Sequence, residues 1–122
     1  MVVEDDDDAR NLLKRSLTRA GAEVLEADSV RAALDKLGSF RPSVLISDVG
    51  MPELDGYDLI REVRAMGLSA RELPAIAVTA FARSEDAARS LAAGFQLHLS
   101  KPVDQDELIA SVASIAHRAV DA

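Results

Sequence analysis

The chain alternates short apolar runs with stretches in which apolar residues recur every three or four positions, and this alternation repeats five times. Met1-Val2-Val3 reads as a strand that stops at Glu4-Asp5-Asp6-Asp7-Asp8. Leu12, Leu13, Leu17 and Ala20 follow at helical spacing, with Gly21 as a stop signal. Val24-Leu25 marks a second strand. Ser29 is placed to cap a helix carrying Val30, Ala33, Leu34 and Leu37, closed by Gly38. Val44-Leu45-Ile46 is a third strand ending on the carboxylate of Asp48, before a loop punctuated by Gly50, Pro52 and Gly56. A third helix is expected from about Tyr57 to Met66, and Ala75-Ile76-Ala77-Val78-Thr79 is a fourth strand. Ser84 is placed to cap a short alanine-rich helix ending at Gly94, and Phe95 to Leu99 forms the fifth strand. Asp104 with Glu107 resembles a capping arrangement for a last helix whose face is Leu108, Val112 and Ile115.

Strands alternating with helices imply an α/β fold, a doubly wound parallel sheet with helices on both faces. The first strand is short for a central strand, which suggests a chain trimmed from something larger. At 122 residues, with 48% apolar and 29% charged residues, the chain suits one globular domain. Without cysteine there is no thiol nucleophile, disulfide or zinc–thiolate site. A net charge of −7 and 3% aromatic residues argue against direct nucleic-acid binding and favour cations or basic partners. No apolar run reaches membrane-spanning length and no signal peptide precedes the fold, so no membrane insertion and a cytoplasmic location are expected.

Polar residues gather at four strand ends. Strand one ends in Glu4 and Asp5, strand three in Asp48, strand four in Thr79, and strand five leads to Lys101. In open α/β sheets, sites lie beyond the carboxyl ends of the strands. Three carboxylates brought together repel one another, and a hard divalent cation such as Mg²⁺ relieves that repulsion. Cation, ammonium and hydroxyl around a carboxylate make up the parts for phosphoryl transfer, with the carboxylate as nucleophile. By itself, Asp48 reads first as a turn residue, because turn aspartates are common, and the other strand ends reverse that reading.

The VVEDD start, SDVGMPELDG, the VTA of the fourth strand and the SKP after the fifth, in this order and at these intervals, resemble the response-regulator receiver domain of two-component signalling, similar to the chemotaxis receiver. The resemblance spans residues 1–122 and implies a flavodoxin-like five-stranded sheet of order 2-1-3-4-5 with five helices. It implies that Asp48 accepts a phosphoryl group from a histidine kinase or histidine phosphotransfer protein. It further implies that Glu4, Asp5, Asp48 and the backbone carbonyl of Gly50 hold Mg²⁺, and that Thr79 and Lys101 grip the phosphoryl oxygens, with a cis Lys101–Pro102 bond.

By the same resemblance, Thr79 and a ring at position 98 switch the face formed by helix 4, strand 5 and helix 5, toward an effector domain or docking target. That ring is His98 here, where the family usually has Tyr or Phe, and an ordinary half-buried strand residue is an equal reading. The protein would catalyse only its own phosphorylation and dephosphorylation, either free-standing or as the receiver of a hybrid sensor histidine kinase. Slow self-dephosphorylation is expected, because neither Gly50 nor Phe81 can orient an attacking water. His117 reads as a solvated residue, Asp6 to Asp8 as loop and helix-start residues, and Asp55 and Asp58 as turn and surface residues. Rival readings are a flavodoxin-type cofactor protein, disfavoured by the acids of the first loop, an aspartate-nucleophile phosphatase, and a receiver-like module that only binds partners. The phosphatases resemble one another in a second acid two residues past the nucleophile, where this chain has Gly50.

Overall fold

In the computed structural model, five parallel strands form one sheet of order β2-β1-β3-β4-β5. Residues 1–51, 54–80 and 84–121 are described, without the side chains of 84–86 and 117–121. The elements are β1 (Val2–Val3), α1 (Asp7–Arg19), β2 (Glu26–Ala27), α2 (Val30–Leu37), β3 (Leu45–Asp48), α3 (Gly56–Ala65), β4 (Ala75–Thr79), α4 (Ser84–Ala93), β5 (Leu97–Ser100) and α5 (Gln105–Asp121). The doubly wound, flavodoxin-like arrangement is the one expected. The short β1 is central, pairing with Glu26 and Ala27 on one side and with Ile46 and Ser47 on the other.

Strands buried on both faces read as continuous apolar runs, and here each run divides between two cores by the two-residue period of a strand. Val3, Leu45, Ala75 and Ala77 face α2 and α3 in one core with Leu37, Leu59, Ile60 and Phe95. Val2, Ile46, Ile76 and Val78 face α1 and α5 in the other with Leu13, Leu17, Leu108 and Ile115. On β4 the first core receives the small Ala75 and Ala77, and the second the branched Ile76 and Val78.

Several boundaries differ from the sequence expectation. The second strand is Glu26–Ala27 rather than Val24-Leu25, because Val2 and Val3 take those later residues as partners. The fifth begins at Leu97, not Phe95; Phe95 is instead buried in the core, 1% exposed, where the chain turns out of α4. Leu12, placed on the inner face of the first helix, is 50% exposed. Asp55 and Asp58 are more than surface residues: Asp55 caps α3, accepting from the Asp58 amide, while Asp58 accepts from the Asp55 amide. Two further caps follow the sequence, with Ser29 Oγ accepting from Ala32 and Asp104 Oδ1 from Glu107, while α4 begins at Ser84 itself, whose side chain lies outside the described residues. Asp6 caps α1 and Asp7 and Asp8 occupy its first turn, where negative charge favours a helix.

Candidate functional site

The site is built at the carboxyl edge of the sheet, where four neighbouring strands, β1, β3, β4 and β5, each end at or lead directly into a polar residue. Asp48 is the last residue of β3 and lies opposite Val78 on β4, one position before Thr79. Thr79 pairs with Ser100 on β5, and the Lys101 amide donates to the Thr79 carbonyl at 2.7 Å, so the ladder itself carries Lys101 to the site. On the other side, the Glu4 amide donates to Ala27, leaving the Glu4 and Asp5 side chains at the end of β1.

These ends converge. Lys101 Nζ donates to Glu4 Oε1 at 2.9 Å and lies 3.1 Å from Asp48 Oδ1. Carboxylate oxygens of Glu4, Asp5 and Asp48 lie within 4.8 Å of one another. Glu4 and Thr79 are buried, Asp48 is nearly so at 7% exposure, and Asp5 is exposed at the mouth.

The electrostatics follow from burial. Desolvation pushes the Glu4 carboxyl up to about 7; the Lys101 hydrogen bond opposes this, and the neighbouring Asp48 charge reinforces it. Burial would lower the Lys101 ammonium, but its hydrogen bonds to Glu4 and Asp48 hold it above the ordinary lysine value. One ammonium among three carboxyl groups leaves the cluster short of positive charge. The donor set consists of hard oxygens, close enough together to share one small divalent cation, and so fits such an ion.

Other sequence-predicted residues are placed less closely. Gly50 is exposed in the loop after β3, and a Cβ built there would meet nothing within 4 Å. The Lys101–Pro102 bond is cis. His98 is half-buried on β5 opposite Ala77, with its Nε2 buried and without a hydrogen-bond partner among the described residues. Phe81 and the side chain of His117 lie outside the described residues.

Two residues at the site were missed by sequence reasoning. Gly56, read only as turn punctuation, lets α3 approach the acceptor: a Cβ there would lie 2.5 Å from the Asp48 carbonyl oxygen. Arg10 on α1 reaches back to the first strand end. Its Nη1 donates to the Glu4 carbonyl at 3.0 Å, its Nη2 to Asp7 at 2.5 Å, and its Nε lies 3.6 Å from Glu26. The Asp7–Arg10 spacing of one helical turn was visible in the sequence, but the reach to Glu4 depends on how strand and helix join.

Comparison with known proteins gives the same picture. The model of the response regulator receiver domain matches residues 1–113. The response regulator MprA of Mycolicibacterium vanbaalenii is 36% identical over 118 residues, 97% of this chain and 50% of that protein, so the chain spans about half the length of that relative. An uncharacterized 14.6 kDa protein in the sodA1 3′ region of Leptolyngbya boryana is 48% identical over 109 residues, 89% of this chain and 82% of that protein. Among solved structures, the receiver domain of the Francisella response regulator 1452 superimposes with a TM-score of 0.89 at 27% identity, covering 96% of this chain and 94% of that one. With the family model matched from end to end of the sheet, this chain belongs to the response regulator receiver domains of two-component signalling.

Proposed function

We propose that residues 1–122 form a receiver domain in which Asp48 is the phospho-acceptor. The observation that carries this reading is the single ammonium of Lys101 held between Glu4 and Asp48 at the mouth of a three-carboxylate cluster. An Asp48 oxygen attacks the phosphorus of a phosphohistidine on a kinase or phosphotransfer protein. The O–P bond forms as the donor's P–N bond breaks, and the electron pair returns to the imidazole nitrogen, which takes up a proton from solvent. Lys101 lies within reach of the oxygen that attacks and of the phosphoryl oxygens that follow it. Thr79, at the end of the adjacent strand, is placed to donate its hydroxyl to one of them.

Glu4, Asp5 and Asp48, with the Gly50 carbonyl, would hold Mg²⁺, which when bound neutralises charge on the transferring group. Lys101, shared between Glu4 and Asp48, would turn from Glu4 toward the negative oxygens of the new acyl phosphate. Thr79 and His98 then carry the change to the face of α4, β5 and α5, where an effector domain or docking target reads it. The buried Nε2 of His98, without a hydrogen-bond partner among the described residues, supports a residue with a second position to occupy. Hydrolysis of the acyl phosphate returns Asp48 and inorganic phosphate, and this should be slow. Gly50 offers no side chain to hold the attacking water; a half-life of seconds would contradict that expectation.

Incubation with acetyl phosphate and Mg²⁺, followed by intact mass, tests the reading. Gain of one phosphoryl group, abolished by chelator and by Asp48→Asn, is expected. No gain under any divalent cation, or an undiminished gain in Asp48→Asn, would overturn it.

A further inference from the structure

Arg10 is a cation at an acidic edge, and one of its bonds does not go where simple charge pairing would send it. One arm pairs with Asp7, and Nε faces Glu26, but Nη1 donates to the main-chain carbonyl of Glu4 at 3.0 Å. That carbonyl belongs to the peptide joining Glu4 to Asp5, the two acids that β1 contributes to the cluster. The Glu4 amide is fixed by Ala27 on β2, and its carboxylate by Lys101. The Arg10 side chain is only 16% exposed, so the fork is held rather than waving in solvent. Glu26 is in turn held by Lys14 at 3.0 Å.

We infer that Arg10 is a positioning residue for the cation site. It clamps the Glu4–Asp5 peptide between α1 and β2 and so sets the separation and aim of the two carboxylates. The inference rests on the proposed Mg²⁺-binding role of those acids. A planar guanidinium presents its donors to a carbonyl, a carboxylate and a second acid in one fixed fork, whereas an ammonium on a flexible stem is a point charge that does not fix their relative geometry.

This role can be told from a purely electrostatic one by the sign of its effect. Removing a positive charge beside an acidic cluster should by itself tighten cation binding. Losing a clamp should weaken it, and partners of ligating groups typically count for about tenfold or more in metal affinity. Mg²⁺ affinity is therefore measured by calorimetry for the unaltered chain, Arg10→Gln and Arg10→Lys, at pH 8. Amide resonances of Asp5 and Asp6 are compared in the metal-free proteins. Weakening by about tenfold in both variants, with shifted Asp5 and Asp6 amides, is the expected result. Tighter binding in Arg10→Gln with Arg10→Lys unchanged would show a charge effect only and overturn the inference. So would unchanged affinity in both, or an Arg10→Lys chain that fails to fold, since a positioning role leaves the fold standing. If the unaltered chain binds no Mg²⁺, the proposed function itself fails, a result distinct from all of these.

Discussion

At neutral pH Glu4 stands near its own midpoint, because burial raises it from 4.5 to about 7. Between those values the folded chain holds a proton that the unfolded chain has released, so the metal-free protein loses stability as pH rises through this window. The full shift corresponds to a cost on the order of 3 kcal/mol. In urea melts from pH 4.5 to 8 without metal, the unaltered chain should lose stability relative to Glu4→Gln; parallel profiles would show that Glu4 does not titrate there. Divalent cation favours the ionised carboxyl, so Mg²⁺ affinity should climb as pH rises through 7, with proton release on binding near pH 6.5. Calorimetry in buffers of different ionisation enthalpy measures that release directly. Lys101 acts in a separate window: its raised value adds stability that persists below the ordinary lysine value and is lost at strongly alkaline pH. The identities of these groups were legible in the sequence, since each stands at a strand end. Their charge states were not, because burial of Glu4 beside exposed Asp5 depends on which way each side of a two-residue strand faces.

The helix–strand junctions decide how rigidly the acceptor is held. Gly56 opens α3 against the backbone of Asp48 and Val49, whose nearest atoms would stand 2.5 and 2.8 Å from an added Cβ. Gly56→Ala should therefore cost about 1–3 kcal/mol and slow phosphorylation of Asp48, whereas Gly50→Ala should stay within about 0.5 kcal/mol of the unaltered chain. Equal stabilities in denaturant melts would contradict the packing account. Sequence periodicity located all five helices and the full extent of β4, whose first four residues are apolar before Thr79. It misplaced β2 because Val24 and Leu25 look more strand-like than Glu26 and Ala27. Register, which belongs to pairing with Val2 and Val3, is not written in local hydropathy. The reciprocal bonds of Asp55 and Asp58 were missed for a related reason: an Asp at the third helical position is a less familiar capping partner than Glu.

Across the molecule, two cores divided by one sheet leave the carboxyl edge as the place where chemistry can be exposed without opening either core. A buried change such as Ile76→Ala should lower stability by about 2–5 kcal/mol while leaving a folded chain's Mg²⁺ affinity unchanged, because Ile76 packs in the core toward α1 and α5, three residues before the strand's carboxyl end. Coupled loss of both would mean that core and site are not separable. Among the described residues no helix is long and apolar enough to cross a membrane. The overall topology was the most legible feature, since alternation and right-handed crossovers permit few orders of five strands. The least legible were links between distant segments, such as Arg10 to Glu4 and Lys101 to Glu4, which exist only once the sheet has assembled.

The central claim is that one carboxylate, Asp48, takes the phosphoryl group. An acyl phosphate is reduced by borohydride to an alcohol, which marks the modified residue permanently. After treatment with acetyl phosphate and Mg²⁺, reduction and peptide mass mapping should find the mark at Asp48 alone. A mark at Glu4 or Asp5, or none on a chain shown to carry phosphate, would contradict the account.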